Sequence, residues 1–166
     1  MASALIALGG NVGDVRGTFK KAVASVCGMT QGSLLARSSD YLTPPWGEEQ
    51  QPPFVNACIE IDTRLDPHTL LATLHKIEKK FGRDRSHERH WGPRTLDLDL
   101  LAYDDIRLDR KELTLPHPRL FERAFVLVPL AEIAPDRVIA GRRVRDALAN
   151  LSTDGIERLP DLPDPA

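Results

Sequence analysis

Two aspartates with alternating spacing are the residues of this chain best suited to chemistry. Asp97 and Asp99 lie in the segment RTLDLDLL (residues 94–101), which otherwise has the composition of a buried strand. Successive strand side chains alternate faces, so both carboxylates share one face, roughly 7 Å apart along the strand, while the leucines enter the core. Mg²⁺ is commonly held by one or two carboxylates together with substrate phosphate oxygens. The spacing predicts a magnesium-phosphate site; the alternative is a polar strand face neutralised by arginines.

The segment before these acids favours the metal-phosphate interpretation. Residues 79–94 contain six Lys or Arg and two acids, in a chain whose net charge is −2. A guanidinium group binds phosphate bidentately, so arginines beside a carboxylate pair indicate a polyphosphate between them. The chain has no G-x-x-x-x-G-K-[ST] motif, and GGNVG (residues 9–13) does not match G-x-G-x-x-G. Metal ions and arginines would therefore have to hold the polyphosphate.

Composition predicts one domain over residues 1–166. The chain is 42% hydrophobic, and its last seven residues include three prolines, so the tail after about residue 150 is expected to be loosely ordered. The near-neutral charge argues against a nucleic-acid partner. No stretch approaches the roughly 20 apolar residues needed to span a bilayer. Cys27 and Cys58 lack metal-ligand spacing, and we expect a cytoplasmic protein with reduced thiols and no membrane partner.

The order of the predicted elements indicates the fold class. In chain order they are a strand over 3–8, a glycine turn over 9–13, a helix from Val15 to Gly28 capped by Asp14, strands over 33–42 and 54–62, a helix from Pro67 to Phe81 capped by Asp66, and the acid-bearing strand. This order predicts an α+β, ferredoxin-like sandwich with a mainly antiparallel sheet and helices on its faces. The polar side of strand 54–62 would be available for chemistry. A further helix over 125–133 would be kinked by Pro129 or hold it in the first turn.

Aromatic and polar residues indicate what the phosphate is transferred to. Trp46, Phe54 and Phe125 accompany the hydrogen-bonding side chains of Thr43 and Asn56. Rings around a few fixed polar groups suit a flat heteroaromatic ligand. Taken singly, Phe125 is also compatible with a core position, and Trp46 beside two prolines with a loop anchor.

Several motifs taken together resemble a known family. They are LGGNVGD (8–14), TPPWG (43–47), FVN (54–56), GR (82–83), RHWGPRTLDLD (89–99), LPHPR (115–119) and EIAP (132–135). In combination they resemble the 6-hydroxymethyl-7,8-dihydropterin pyrophosphokinases of folate biosynthesis. The resemblance implies that ATP and this pterin are the small-molecule substrates. It further implies that the β,γ-pyrophosphate is transferred to the hydroxymethyl group, that AMP is released, and that the protein is a monomer.

The resemblance also implies roles for individual residues. Asp97 and Asp99 would hold two Mg²⁺ ions, and Arg83 and Arg94 would bind phosphate and transition-state charge. The nucleotide positions are Arg85 and Trp91 in a mobile loop, His117, Arg123, and His75, where glutamine often contacts ATP. The pterin positions are Thr43, Pro44, Trp46, Phe54, Asn56 and Phe125, with the two phenylalanines sandwiching the ring.

Two other classes of function remain to be separated from this one. A ferredoxin-like module for single-stranded RNA would use the arginines and aromatics, but the expected sheet face carries Asn56 and four acids, Glu60, Asp62, Asp97 and Asp99. A nucleotidyltransferase or an ordinary kinase also uses paired acids. Product identity separates these: AMP for pyrophosphoryl transfer, ADP for a kinase, and inorganic pyrophosphate for nucleotidyl transfer.

Overall fold

The computed structural model describes residues 1–45, 50–82 and 95–163. Its strands are β1 (Ala2–Gly10), β2 (Ser33–Arg37), β3 (Tyr41–Thr43), β4 (Phe54–Thr63), β5 (Asp97–Tyr103), β6 (Leu108–Asp109), β7 (Thr114–Leu115), β8 (Val138–Ile139), β9 (Arg142–Arg143) and β10 (Glu157–Arg158). Its helices are α1 (Val15–Met29), α2 (Pro67–Lys80), α3 (Ala124–Ile133) and α4 (Val144–Ala149), with a 3₁₀ turn at Leu120–Glu122.

The main sheet is antiparallel, with the order β10-β3-β4-β1-β5 and with β2 also paired to β4. Along the chain, β1 is followed by α1, then by the strands β2, β3 and β4, then by α2 and β5. This is the ferredoxin-like α+β arrangement, so the predicted fold class is confirmed. Two separate hairpins, β6-β7 and β8-β9, stand outside this sheet.

The helices α1 and α2 form where their sequence signals predict and cover one face of the sheet. Asp14 caps α1 by accepting from the Gly17 amide at 3.1 Å, and Asp66 caps α2 by accepting from the Thr69 amide at 2.9 Å. The predicted apolar stripe of α1 is buried, as are Leu70, Leu74 and Ile77 of α2. These side chains pack with the inward leucines of β5 in one core cluster.

The other face of the sheet is covered by α3 and α4, which differs from the expectation of an open polar face on β4. Cys58 is fully buried under α3 in a second core cluster, and Glu60 is engaged by the hydroxyl of Ser3 (2.7 Å) and by Arg137. Pro129 lies in the middle of α3, not in its first turn. Among the described residues, Asn56 lies at the end of this face that is nearest the acids of β5.

Two predicted strand boundaries were wrong because pairing with β4 decides where these strands end. Gly9 and Gly10 continue β1 by pairing with β4; they do not begin the turn. The single strand over 33–42 is divided, because residues 38–40 stand opposite only residues 57 and 58 of β4. This extra residue is a β-bulge. It is held by Ser38, whose hydroxyl accepts from the Cys58 amide at 2.9 Å.

The tail after about residue 150, which is expected to be loosely ordered, contains the short strand β10 in its described part. β10 pairs with β3, and the Leu159 amide donates to the Asp40 carbonyl at 2.9 Å. Arg16 donates to the Pro160 carbonyl at 2.6 Å and to the buried Asp40 carboxylate at 2.9 Å. Pro160 therefore lies directly after a segment that a strand pairing and a buried carboxylate attach to the domain. Both cysteines are free thiols.

Candidate active site

The strand β5 carries Asp97 and Asp99 on the face away from its leucines, as the alternation predicts. Leu96, Leu98 and Leu100 are buried, whereas both aspartates are half-buried. β5 ends the described sheet, so the Leu98 amide points outward between the two acids. It donates to a carboxylate oxygen of Glu78 at 2.8 Å, and Glu78 is itself buried on α2. A helix side chain thus occupies the edge position that a further strand would take.

A missing side chain brings two polar groups together across the central strand. In the sheet register, Gly9 of β1 stands between Asn56 of β4 and Asp97 of β5, and Ala7 stands between Cys58 and Asp99. A β-carbon at Gly9 would lie 2.9 Å from Asn56 Oδ1 and 3.9 Å from Asp97 Cβ. The Asn56 amide therefore occupies the space above Gly9, on the side toward the acid.

The amide of Asn56 is fixed by its neighbour on β3. Its Nδ2 donates to the Thr43 hydroxyl at 2.7 Å, and both residues are buried. Phe54 lies on the same face of β4 two residues earlier and is half-buried. The Asn56 amide is therefore preorganised and has an aromatic ring beside it. This amide can present its hydrogen-bonding edge to a flat ring.

The approach to α3 brings a cation to the acids. Arg123 lies at the start of α3, is 9% exposed, and its Nη1 is 3.8 Å from Asp99 Oδ2. Its guanidinium carbon lies 5.6 Å from the centroid of the Phe125 ring. Burial lowers the pKa of Arg123, while Asp99 and Asp97 act in the opposite direction. The group stays charged at neutral pH, because arginine is not deprotonated in proteins.

His117 reaches the same region from the loop after β7. Its amide donates to the Leu101 carbonyl at 2.8 Å, and its Nδ1 accepts from the Arg119 amide at 3.1 Å. Burial, and then the charge of Arg123, lower the pKa of His117 to about 4. The ring is neutral at pH 7, and because Nδ1 is an acceptor, the proton is on Nε2. His117 can therefore donate a hydrogen bond without carrying a charge.

The other predicted site residues are distributed as follows. Pro44 follows β3 and is exposed, and Phe125 is half-buried at the start of α3. His75 is exposed on α2. This helix packs on the face of the sheet that carries the leucines of β5, opposite to the face that carries Asp97 and Asp99. Trp46, Arg83, Arg85, Trp91 and Arg94 lie outside the described residues.

Two contributors to the site were missed by sequence reasoning. The sequence pattern predicts a turn at Gly9 and no role for Glu78, because both act through partners far away in the chain. A signal for Glu78 was present: it is the one acid on the buried stripe of α2, one residue after Ile77. A fully buried carboxylate requires a donor, and an edge-strand amide is one.

The donor set is compatible with a hard divalent ion. Asp97 and Asp99 offer carboxylate oxygens, the ligands that Mg²⁺ prefers. Within the described parts of the chain, no group of three or more His, Cys, Asp or Glu gathers as a complete metal cage. Two carboxylates still fit Mg²⁺, since it takes its remaining ligands from phosphate and water.

No helix within the described ranges is long and apolar enough to cross a membrane.

The chain has a ferredoxin-like α+β architecture, and its family and named relatives show that it is an ATP-dependent transferase. The chain belongs to the family of 7,8-dihydro-6-hydroxymethylpterin-pyrophosphokinase (HPPK), whose family model matches residues 5–135. It transfers pyrophosphate from ATP to hydroxymethyldihydropterin in folate biosynthesis.

Named relatives extend the similarity over most of the chain. The 2-amino-4-hydroxy-6-hydroxymethyldihydropteridine pyrophosphokinase of Methylorubrum extorquens is 50% identical over 159 residues, covering 96% of this chain and 99% of the relative. The Pseudomonas aeruginosa protein of the same name is 42% identical over 156 residues, covering 93% and 95%. Among solved structures, Plasmodium falciparum HPPK-DHPS A437G with pteroate is similar in fold, with a TM-score of 0.72 at 13% identity over 95% of this chain. This chain spans 46% of the length of that protein.

Proposed function

We propose that pyrophosphoryl transfer takes place above the row formed by Asn56, Gly9 and Asp97. The pterin lies toward Asn56, and the polyphosphate of ATP lies toward Asp97 and Asp99. The observation that carries this proposal is that one strand without a side chain at Gly9 separates the fixed amide from the acid. Neighbouring strands are about 4.8 Å apart, so β4 and β5, with β1 between them, are about 10 Å apart, which matches the dimensions of a small ligand.

The proposed step is an in-line substitution at the β-phosphorus of ATP. The hydroxymethyl oxygen of the pterin forms the new O–P bond, the bond to the α,β-bridging oxygen breaks, AMP leaves, and the hydroxyl proton passes to solvent. Phosphoryl transfer depends on positioning and on charge stabilisation, so no covalent enzyme intermediate is required. Arg123 contributes a buried, fixed positive charge next to Asp99, and neutral His117 contributes a donor at Nε2.

We assign two Mg²⁺ ions to Asp97 and Asp99. When bound, paired ions stabilise the attacking and leaving oxygens and lower the pKa of the attacking hydroxyl. Counting Mn²⁺ by electron paramagnetic resonance, with α,β-methylene-ATP present to prevent turnover, should give two ions per chain. One ion per chain would contradict this assignment.

The remaining roles follow the family positions. Arg83 and Arg94 are the proposed catalytic cations; His75, Arg85, Trp91, His117 and Arg123 contact the nucleotide; and Thr43, Pro44, Trp46, Phe54, Asn56 and Phe125 contact the pterin. Arg94→Ala should slow turnover more than it weakens ATP binding. A change in the nucleotide dissociation constant alone would make Arg94 a ground-state anchor.

We further propose that the chain acts as a single-domain, cytoplasmic monomer without nucleic-acid or membrane partners. A net charge of −2 supports the absence of a nucleic-acid partner. Sedimentation equilibrium across a hundredfold concentration range should give the mass of one chain. A mass that rises with concentration would contradict it.

The test of the site is the pair Asp97→Asn and Asp99→Asn, with Asp105→Asn as the matched control. Asp105 is exposed in the turn after β5. Each site variant should lower kcat by at least about 10²- to 10³-fold, the effect of losing one stabilising group in other enzymes, with an unchanged thermal midpoint. The control and the unmodified enzyme should form AMP one-for-one with pterin diphosphate. Normal turnover by either site variant would refute the assignment, and ADP or free pyrophosphate as product would refute the reaction.

A further inference from the structure

The C-terminal segment forms a wall of a cavity that reaches the predicted pterin residues. The cavity is about 290 Å³ and lies between Pro44 and Pro45, which follow β3, the start of α3, and the tail. Its lining includes Pro44 and Phe125 on two sides and Leu151, Asp154 and Ile156 on the third. The tail residues lie beyond the part of the chain that the family model matches.

The tail approaches Pro44 more closely than any side chain at that position would allow. A β-carbon on Gly155 would lie 2.9 Å from Cγ and 3.6 Å from Cδ of Pro44. Gly155 has a φ of +81°, a left-handed conformation that favours glycine. Gly155 therefore has a left-handed backbone conformation and also lies close against the ring of Pro44.

The same tail is also connected to α3, which carries Phe125. In β10, Arg158 donates to the Ser39 hydroxyl at 2.9 Å. The Ser39 amide donates to Glu132 of α3 at 2.9 Å, and the Tyr41 hydroxyl donates to the same carboxylate at 2.6 Å. A chain of hydrogen bonds thus runs from the tail through the start of β3 to α3.

We propose that residues 151–158 position the acceptor pocket, and that Gly155 is a positioning residue for pterin binding through Pro44. The tail supports Pro44 on one side of the pocket and, through Ser39 and Glu132, the helix of Phe125 on the other. This inference rests on the proposed pterin site.

The test compares Gly155→Ala with Gly141→Ala. Both glycines have a positive φ (+81° and +79°), but a β-carbon at Gly141 would meet no described atom within 4 Å. Backbone strain is therefore matched, and contact with Pro44 is present in one variant only. Gly155→Ala should raise the pterin dissociation constant and KM on the order of tenfold, since a small misplacement can have effects of this size or larger. Affinity for α,β-methylene-ATP with Mg²⁺ and kcat should stay within about twofold of the parent, as should every parameter of Gly141→Ala.

A second background separates the contact from general damage to the tail. In Pro44→Ala the ring atoms that the new methyl group would meet are absent, so adding Gly155→Ala should raise the pterin dissociation constant little further. Non-additivity of this kind is expected for residues in contact. If Gly155→Ala has the same effect in both backgrounds, or acts equally on pterin and nucleotide affinity, positioning through Pro44 is refuted. Should Gly155→Ala fail to fold, Ile156→Ala removes wall atoms without a positive φ and must weaken pterin binding selectively for the proposal to stand.

Asn56→Ala, measured alongside, distinguishes failure of the proposed tail role from failure of the proposed pterin site. Loss of pterin binding in Asn56→Ala with an unchanged Gly155→Ala overturns the role of the tail and leaves the pterin site intact. Unchanged pterin binding in both variants overturns the pterin site and the tail role together.

Discussion

Gly9 is functional because it lacks a side chain. Its backbone pairs on both sides, and the volume that a β-carbon would fill is taken by Asn56 Oδ1 at 2.9 Å. Gly9→Ala should therefore displace the Asn56 amide and raise the pterin dissociation constant on the order of tenfold, as misplaced binding groups do. Titration of the fluorescent pterin into the parent and into Gly9→Ala measures the two dissociation constants directly.

Gly28 supplies the control for that prediction. It lies in the last turn of α1, where a β-carbon would meet no described atom within 4 Å. Gly28→Ala should leave pterin affinity unchanged and stabilise the helix by roughly 0.5–1 kcal/mol. Equal pterin affinities for the Gly9 and Gly28 variants would mean that Asn56 does not bind the pterin from its present position.

His117 makes the stability of the ligand-free protein depend on pH. Burial and the Arg123 charge lower its folded-state pKa to about 4 from an ordinary value of 6.5. Between these values the unfolded chain binds more protons than the folded one, so the free energy of unfolding falls as pH decreases from 6.5 to 4. Urea unfolding at half-unit pH intervals should show this slope, and His117→Asn should reduce it. An identical slope in the variant would place the titrating group elsewhere.

At the scale of elements, the contact between α2 and β5 holds the acid-bearing edge strand. The buried carboxylate of Glu78 accepts from the Leu98 amide at 2.8 Å. Glu78→Ala leaves a buried amide without this acceptor and should lower the free energy of unfolding by about 1–3 kcal/mol. Glu78→Gln keeps a carbonyl acceptor and should lose less. Chemical denaturation of the three proteins tests the order, and an Ala variant as stable as the parent would contradict it.

Local signals predicted α1, α2 and the acid-bearing strand, because caps, an N1 proline and side-chain periodicity act within a few residues. Asp14, Asp66 and the alternation of Asp97 and Asp99 are examples. The bulge at Ser38 and the pairing of β10 depend instead on what stands opposite them in the sheet. The strand identity of Gly9 has the same origin, since its space is filled by a residue 47 positions away in sequence.

In the candidate site, too, the sequence indicates some features, whereas others depend on tertiary packing. Residue types and the family resemblance indicated the acids, Asn56, Thr43, His117 and Arg123 as site residues before any contact among them was known. The approach of Arg123 to Asp99 at 3.8 Å and the tail beside Pro44 come from tertiary packing that no short sequence window contains.

For the whole molecule, the important feature is that two cores share one sheet and the site lies at the margin of the second. The first core joins the sheet to α1 and α2, and the second joins it to α3 and α4. Ligands that bind only the folded chain stabilise it by RT ln(1 + [L]/Kd), about 2.7 kcal/mol at 100-fold excess over Kd. We therefore expect Mg²⁺ with α,β-methylene-ATP to raise the thermal midpoint, and Mg²⁺ without nucleotide to have little effect.

The Asp99→Asn variant is the control for that experiment. Its midpoint should resemble that of the parent without ligand and should respond less to added Mg²⁺ when the nucleotide analogue is present. Scanning calorimetry of both proteins, with and without EDTA, gives the four values needed. A full magnesium response in the variant would show that Asp99 does not hold the ion.

The hydrogen bond from Leu98 to Glu78 also gives this enzyme an internal spectroscopic reporter. The Leu98 amide lies in the backbone between the two acids, and its acceptor is a carboxylate on another element. Any ligand that pulls β5 away from α2 must lengthen this bond, and any ligand that presses them together must shorten it. The hydrogen-exchange rate and proton chemical shift of this single amide would therefore report any ligand-induced displacement of β5 relative to α2 without an attached probe.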